Sequence, residues 1–185
     1  AYTSPLALHR IAVQVYGWER PCIMAKAEKD LHAVGLLTPT HAVVAFRGTE
    51  TSANWWTNVD IVPVAVPRFR NTPFPEGQRG WEDRIRVHRG FVEAYLELHQ
   101  LVLDFLDNVV TRRGPNFPVY LCGHSLGGAQ AMTCLLYLRL YELPYNILGV
   151  YTYGQPRVGT MVLQDYLLQQ VRSPVVQRIV NSGDP

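Results

Sequence analysis

Residues 120–132 read YLCGHSLGGAQAM, and the order of residue types in this stretch decides the fold class. An apolar run, VYLCG, leads into G-x-S-x-G at Gly123, Ser125 and Gly127, and a helix-forming stretch continues from Leu126 to Tyr141. A strand that turns sharply into a helix at a serine lifts the hydroxyl above the sheet edge, and small neighbours relieve the crowding of that turn. Ser125 is therefore the candidate nucleophile. The backbone N–H of Leu126, at the start of the helix, is the candidate first donor to a negatively charged carbonyl oxygen. His124 is adjacent in sequence, but neighbours in a tight turn point in different directions, so it is expected to pack rather than to act as the base.

The flanking segments extend the pattern. LHAVGLL (31–37) and AVVAF (42–46) surround the turn-forming TPTH, which predicts a hairpin entering the core. From Gly90 to about Val110, the residues Phe91, Val92, Tyr95, Leu98, Leu101, Val102, Phe105 and Leu106 recur at helical spacing until RRGPNFP breaks the period. ILGVYTYG (147–154) and VVQRIV (175–180) are two further strands, separated by a helix over 160–171. Strands alternating with helices predict a single α/β domain over 1–185, with a mostly parallel central sheet covered by helices on both faces.

Composition excludes several classes. The chain has 185 residues, 48% of them apolar, with no fixed-period repeat, which argues against disorder and solenoids. A formal charge of +2 is too small to point to a nucleic acid, and no apolar run approaches a membrane span. Cys22, Cys122 and Cys134 have no metal-binding or redox spacing; the latter two fall in an apolar strand and a helix and are read as core. Cys22 is either free or paired with a cysteine elsewhere. The opening AYTSPLALHR has neither the charged nor the long apolar region of a signal peptide, and a start without Met suggests a processed or trimmed chain.

Between Thr49 and Gly90 the chain has four prolines and no sustained period, and so long an irregular connection is usually functional or mobile. Arg68, Arg70, Arg79, Arg84, Arg86 and Arg89 crowd its second half together with Phe69, Phe74 and Trp81. Two readings stand: a solvated loop, and contact with an anionic lipid surface.

Taken together, VVAFRGTETSANWW, VHRGFVEAY, CGHSLGGAQA, YTYGQPRVG and RIVNSGDP occur in an order that resembles the class 3, or fungal lipase-like, family across most of the chain. The resemblance implies an α/β-hydrolase fold and hydrolysis of carboxylic esters of lipids without a metal or organic cofactor. By the same resemblance Thr49 contributes a second oxyanion donor, and residues 50–66 form a lid in which Trp55, Trp56, Ile61 and Val62 present an apolar face to substrate and to a lipid–water interface. The competing reading buries both tryptophans in the core. The segment 67–89 looks like an arginine-rich insertion, longer than the family's usual connection. Secretion is slightly favoured by the resemblance.

Asp184 follows VVQRIV, matches the family's triad acid, and has an Asp-Pro turn as its alternative reading. Triad partners in this fold run Ser, Asp, His along the chain. His9, His32, His41, His88, His99 and His124 all precede Asp184. Three explanations compete: a sequence truncated at its C-terminus, a relative that keeps the fold without catalysis, and an unusual base such as His88. The leading expectation is a triacylglycerol lipase. Phospholipase A1, a feruloyl-type esterase and a catalytically silent interaction protein are the alternatives.

Overall fold

The computed structural model describes residues 4–26, 28, 30–48, 60–78, 80–81, 83–169 and 175–181. In chain order the elements are α1 (Pro5–His9), which runs into a π-helical stretch Arg10–Val15, then β1 (Cys22–Lys26), β2 (Leu31–Leu37), β3 (Ala42–Phe46), β4 (Pro63–Ala65), β5 (Arg86–His88), α2 (Arg89–Arg113), β6 (Val119–His124), α3 (Leu126–Leu140), β7 (Ile147–Tyr153), α4 (Met161–Gln169) and β8 (Val175–Ile179).

The TPTH hairpin forms as expected. Thr38 closes it through its backbone N–H to the His41 carbonyl at 2.9 Å, while the Thr38 Oγ1 accepts from the His41 N–H at 3.0 Å. β2 and β3 pair antiparallel, and both alternate buried and half-buried residues, the signature of a sheet with one face packed. β1 was not foreseen, because only Met24 of its five residues is buried and its sequence therefore carries no clear period. The central sheet has the order β1-β2-β3-β6-β7-β8; β3, β6, β7 and β8 are parallel and the first three strands antiparallel.

That order decides where the helices lie. β3, β6, β7 and β8 are added in one direction across the sheet, and a right-handed crossover between each pair puts every connecting helix on the same face. α2 packs on β1 and β2, and α3 on β3, β6 and β7. The three crossover helices α2, α3 and α4 thus share one face of the sheet. On the other face Val34, Leu36, Val43, Ala45, Tyr120 and Cys122 remain half-buried. Among the described residues no helix is long and apolar enough to cross a membrane.

The arginine-rich segment is a strap laid over this helical layer. The Tyr137 hydroxyl donates to the Pro67 carbonyl at 2.6 Å, and the Tyr141 hydroxyl accepts from the Phe69 N–H at 2.9 Å and donates to the Thr72 carbonyl at 3.0 Å. Further on, the Gln78 amide donates to Glu142 and accepts from the Tyr166 hydroxyl, both at 2.9 Å. Phe69 lies against His99, Phe74 against Tyr141 and Trp81 against Tyr166, at ring separations of 4.3, 4.7 and 5.1 Å. The aromatic residues that could have served a lipid surface instead face the protein. The guanidinium groups of Arg70 and Arg84 lie outside them, over the Phe69 and Trp81 rings.

His99 is the titratable centre of this packing. It is 1% exposed, its Nδ1 lies 2.7 Å from the Tyr95 hydroxyl, and burial, reinforced by the Arg70 guanidinium, lowers its pKa to about 4. Because the unfolded chain binds this proton near the ordinary histidine pKa, the contribution is complete above about pH 6.5 and is lost as pH falls towards 4. Urea unfolding at pH 7 and pH 4 is expected to show His99→Leu losing less stability on acidification than the unaltered protein, by on the order of 3 kcal/mol. Equal losses would show that His99 does not bind its proton on unfolding.

Candidate active site

Three strand ends meet at the serine. β6 stops at His124, and Ser125 takes φ 54° and ψ −122°, a backbone conformation that a residue with a Cβ adopts only under constraint. The Ser125 N–H donates to the Tyr153 carbonyl at the end of β7, at 2.9 Å, and the Ala129 N–H closes the first turn of α3 onto the Ser125 carbonyl at 3.2 Å. The serine is held from both sides. It occupies the N-cap of α3, yet its hydroxyl makes no capping hydrogen bond and so is not consumed by the helix.

Both motif glycines are required by contact distances. A Cβ on Gly123 would stand 2.2 Å from the Gly127 carbonyl, and a Cβ on Gly127 would stand 2.2 Å from the Phe46 carbonyl oxygen at the end of β3. α3 can therefore start directly over the sheet edge, against the end of β3 at Phe46 and Arg47. The Leu126 N–H lies in the first turn, where backbone donors have no acceptor within the helix and the helix dipole favours negative charge. Ser125 is 8% exposed and Leu126 is 2% exposed, so charge developing beside them would be poorly screened by water.

The other expected site residues divide as follows. Ile61 and Val62 are exposed at the start of α2, where Asp60 accepts from the Gly90 N–H at 2.9 Å and pairs with Arg89 at 2.9 Å. Thr49, Trp55, Trp56 and Asp184 lie outside the described residues, as does most of the stretch 50–66. His124 is exposed rather than packed, since strand alternation sets it with Tyr120 and Cys122 on the open face. His88 is held in β5 by its N–H to the Val158 carbonyl at 2.8 Å, its ring lies beside Phe91, and its Nδ1 is buried with no hydrogen bond among the described residues. No hydrogen bond joins it to Ser125.

Arg47 forms an ion pair with Asp30. Among the described residues the three cysteines form no disulfide; burial pushes Cys134 up to about 12 and raises Cys122, which leaves neither suited to nucleophilic chemistry. Among the described residues no group of His, Cys, Asp and Glu could hold a metal ion. What sequence reading missed is the part played by the β7 end. Gln155 packs where a Cβ on Gly128 would be 3.0 Å away, and its carbonyl accepts from Arg178 of β8. The GQPRVG stretch was visible in the sequence, but its partners lie 27 and 23 positions away along the chain.

The family profile described as Lipase (class 3) matches residues 43–185. The chain belongs to the class 3 lipase family. It is 33% identical over 185 residues to a lipase of Rhizomucor miehei, an alignment that takes in 90% of this chain and 47% of that protein. A secreted mono- and diacylglycerol lipase of Gibberella zeae is 33% identical over 127 residues, covering 63% of this chain and 29% of its own. Among solved structures, the triacylglyceride lipase of Rhizomucor miehei superposes with a TM-score of 0.68 at 28% identity, over 86% of this chain and 56% of that one. This class 3 lipase chain spans about half the length of the curated Rhizomucor relative that it matches.

The strain at Ser125 has a measurable consequence. Ser125→Gly is expected to be more stable than Ser125→Ala by about 1–2 kcal/mol in urea unfolding, because only glycine adopts this φ without strain. Gly127→Ala is expected to lose roughly 3 kcal/mol or more, since the Phe46 carbonyl that it would strike is backbone. A neutral Gly127→Ala, or an alanine variant at 125 as stable as the glycine one, would contradict this geometry.

Proposed function

We propose that this class 3 lipase chain carries the nucleophilic half of a serine hydrolase acting on carboxylic esters of lipids, with triacylglycerols as the leading substrate class. The observation that carries the reading is the strained elbow at Ser125, with its hydroxyl free of the helix cap and the Leu126 N–H in the adjoining first turn.

The Ser125 Oγ attacks the ester carbonyl carbon while a histidine supplied from outside residues 1–185 takes the hydroxyl proton. Asp184 orients that histidine and stabilises its imidazolium form. The tetrahedral oxyanion is held by the Leu126 N–H and by Thr49, through its backbone and hydroxyl. Collapse breaks the bond to the alcohol, which leaves with the proton from the imidazolium. Water then attacks the acyl-enzyme, gives its proton to the histidine, and releases the fatty acid as the Ser125 oxygen is reprotonated. The reaction is complete in protons and electrons without a cofactor.

Residues 50–66 serve in this reading as the lid, with Trp55, Trp56, Ile61 and Val62 making transient contact with the lipid–water interface. The exposure of Ile61 and Val62, at 63% and 52%, supports that part, since solvent-facing apolar side chains favour an interface. Secretion fits a substrate met at such an interface.

The test is a fluorophosphonate probe combined with hydrolysis of emulsified triacylglycerol, of phosphatidylcholine and of a feruloyl ester by the full natural chain. Labelling that vanishes in Ser125→Ala, and a fall in kcat of roughly 10³-fold or more in Asp184→Asn, are expected. The best-cleaved ester separates lipase from phospholipase A1 and feruloyl esterase. An unlabelled natural chain would leave a silent interaction protein as the reading.

A further inference from the structure

We propose that Arg178 is a positioning residue for the hydrolytic reaction: it extends the β7–β8 pairing past its last backbone bond and so fixes β8 relative to the Ser125 elbow. The inference rests on the serine hydrolase reading given above.

The geometry forms a ladder across three strand ends. The Ser125 N–H donates to the Tyr153 carbonyl, and the next residue along β7, Gly154, donates its N–H to the Ile179 carbonyl, each at 2.9 Å. The following residue, Gln155, turns its carbonyl to Arg178, which donates to it from Nε at 3.1 Å and from Nη2 at 2.7 Å. Strand pairing alone ends at Tyr153 and Ile179. Beyond that point the arginine fork, a charge-assisted pair of bonds to one oxygen, supplies the connection.

The other side of Gln155 faces the elbow helix. Its side chain fills the space in which a Cβ on Gly128 would sit at 3.0 Å, and its Nε2 donates to the Pro156 carbonyl at 3.1 Å. Gln155 is 7% exposed and cannot yield easily in either direction. Arg178 therefore sets, through Gln155, how far the end of β8 stands from the first turn of α3. That distance matters to the chemistry because Asp184, the proposed acid, follows Arg178 by six residues, and a catalytic group displaced by 1 Å can lose about a hundredfold in rate. Apart from this fork, the described restraint on β8 is its five-residue parallel pairing with β7, from Gly149–Val175 to Tyr153–Ile179.

Lysine keeps the charge but not the fork, and methionine keeps neither, so Arg178→Lys and Arg178→Met separate geometry from charge. Both are made in the full natural chain, active sites are titrated with a fluorophosphonate, and hydrolysis of a soluble p-nitrophenyl ester is followed from pH 5 to 9. The expected result is a fall in kcat per titrated serine of about tenfold or more in both variants, with KM within about twofold, and a shifted acid limb of kcat/KM. Unchanged turnover per serine and an unchanged acid limb overturn the proposal. A loss explained by fewer folded molecules, with a lowered unfolding midpoint but full turnover per titrated serine, also overturns it. If the methionine variant does not fold, the lysine variant decides. Absence of labelling in the unaltered chain would instead remove the hydrolase reading itself.

Discussion

The close approach of the α3 N-terminus to the ends of β3 and β6 is the constraint on which the site depends. With a Cβ at either Gly123 or Gly127, the helix could not begin where it does, since the side chain would meet backbone at 2.2 Å. Because the helix begins there, Ser125 must cross from strand to helix within one residue, and its positive φ follows. The strain is sustained by bonds on both sides, from the Ser125 N–H to the Tyr153 carbonyl and from the Ala129 N–H to the Ser125 carbonyl. A relaxed turn would satisfy the serine hydroxyl locally. The constrained one leaves it available.

The direction in which the sheet grows explains most of what surrounds this point. Successive right-handed crossovers place α2, α3 and α4 on one face, so the helical layer is thick there and a third layer can form on it. The strap over residues 66–85 occupies that position, held by the hydroxyls of Tyr137, Tyr141 and Tyr166 and by three aromatic contacts. Tyrosine suits the task because its ring joins the core while its hydroxyl reaches the strap backbone. The same arrangement accounts for the low pKa of His99, which is enclosed by Tyr95, Phe69, Tyr137 and Tyr141.

The arginine-rich segment shows why a composition can suggest a surface that the fold does not build. Phe69, Phe74 and Trp81 lie among arginines in sequence, but Phe74 is 3% exposed and the other two pack against the core. Their burial against α2, α3 and α4 gains more than exposure to water would allow, whereas the arginines must keep their charge hydrated. Side chains adjacent in sequence thus separate into an inner aromatic layer and an outer cationic one.

Periodicity and motif were enough to determine the α/β class, the TPTH hairpin, the long helix α2, the parallel strands β6 to β8 and Ser125 as the candidate nucleophile. These features are local: an apolar period, a turn residue or a glycine beside a serine acts over a few positions, and all of them are legible along the chain. Tertiary structure alone decided that α2, α3 and α4 share one face, that β1 joins the sheet, that the aromatic strap points inward, and that Gln155 and Arg178 link β7 to β8. Each of these depends on contacts between residues far apart in sequence, where no local period records which partner will be met. The strain at Ser125 belongs to both levels, since its motif is local but the Phe46 carbonyl that confines Gly127 comes from a strand some eighty residues earlier.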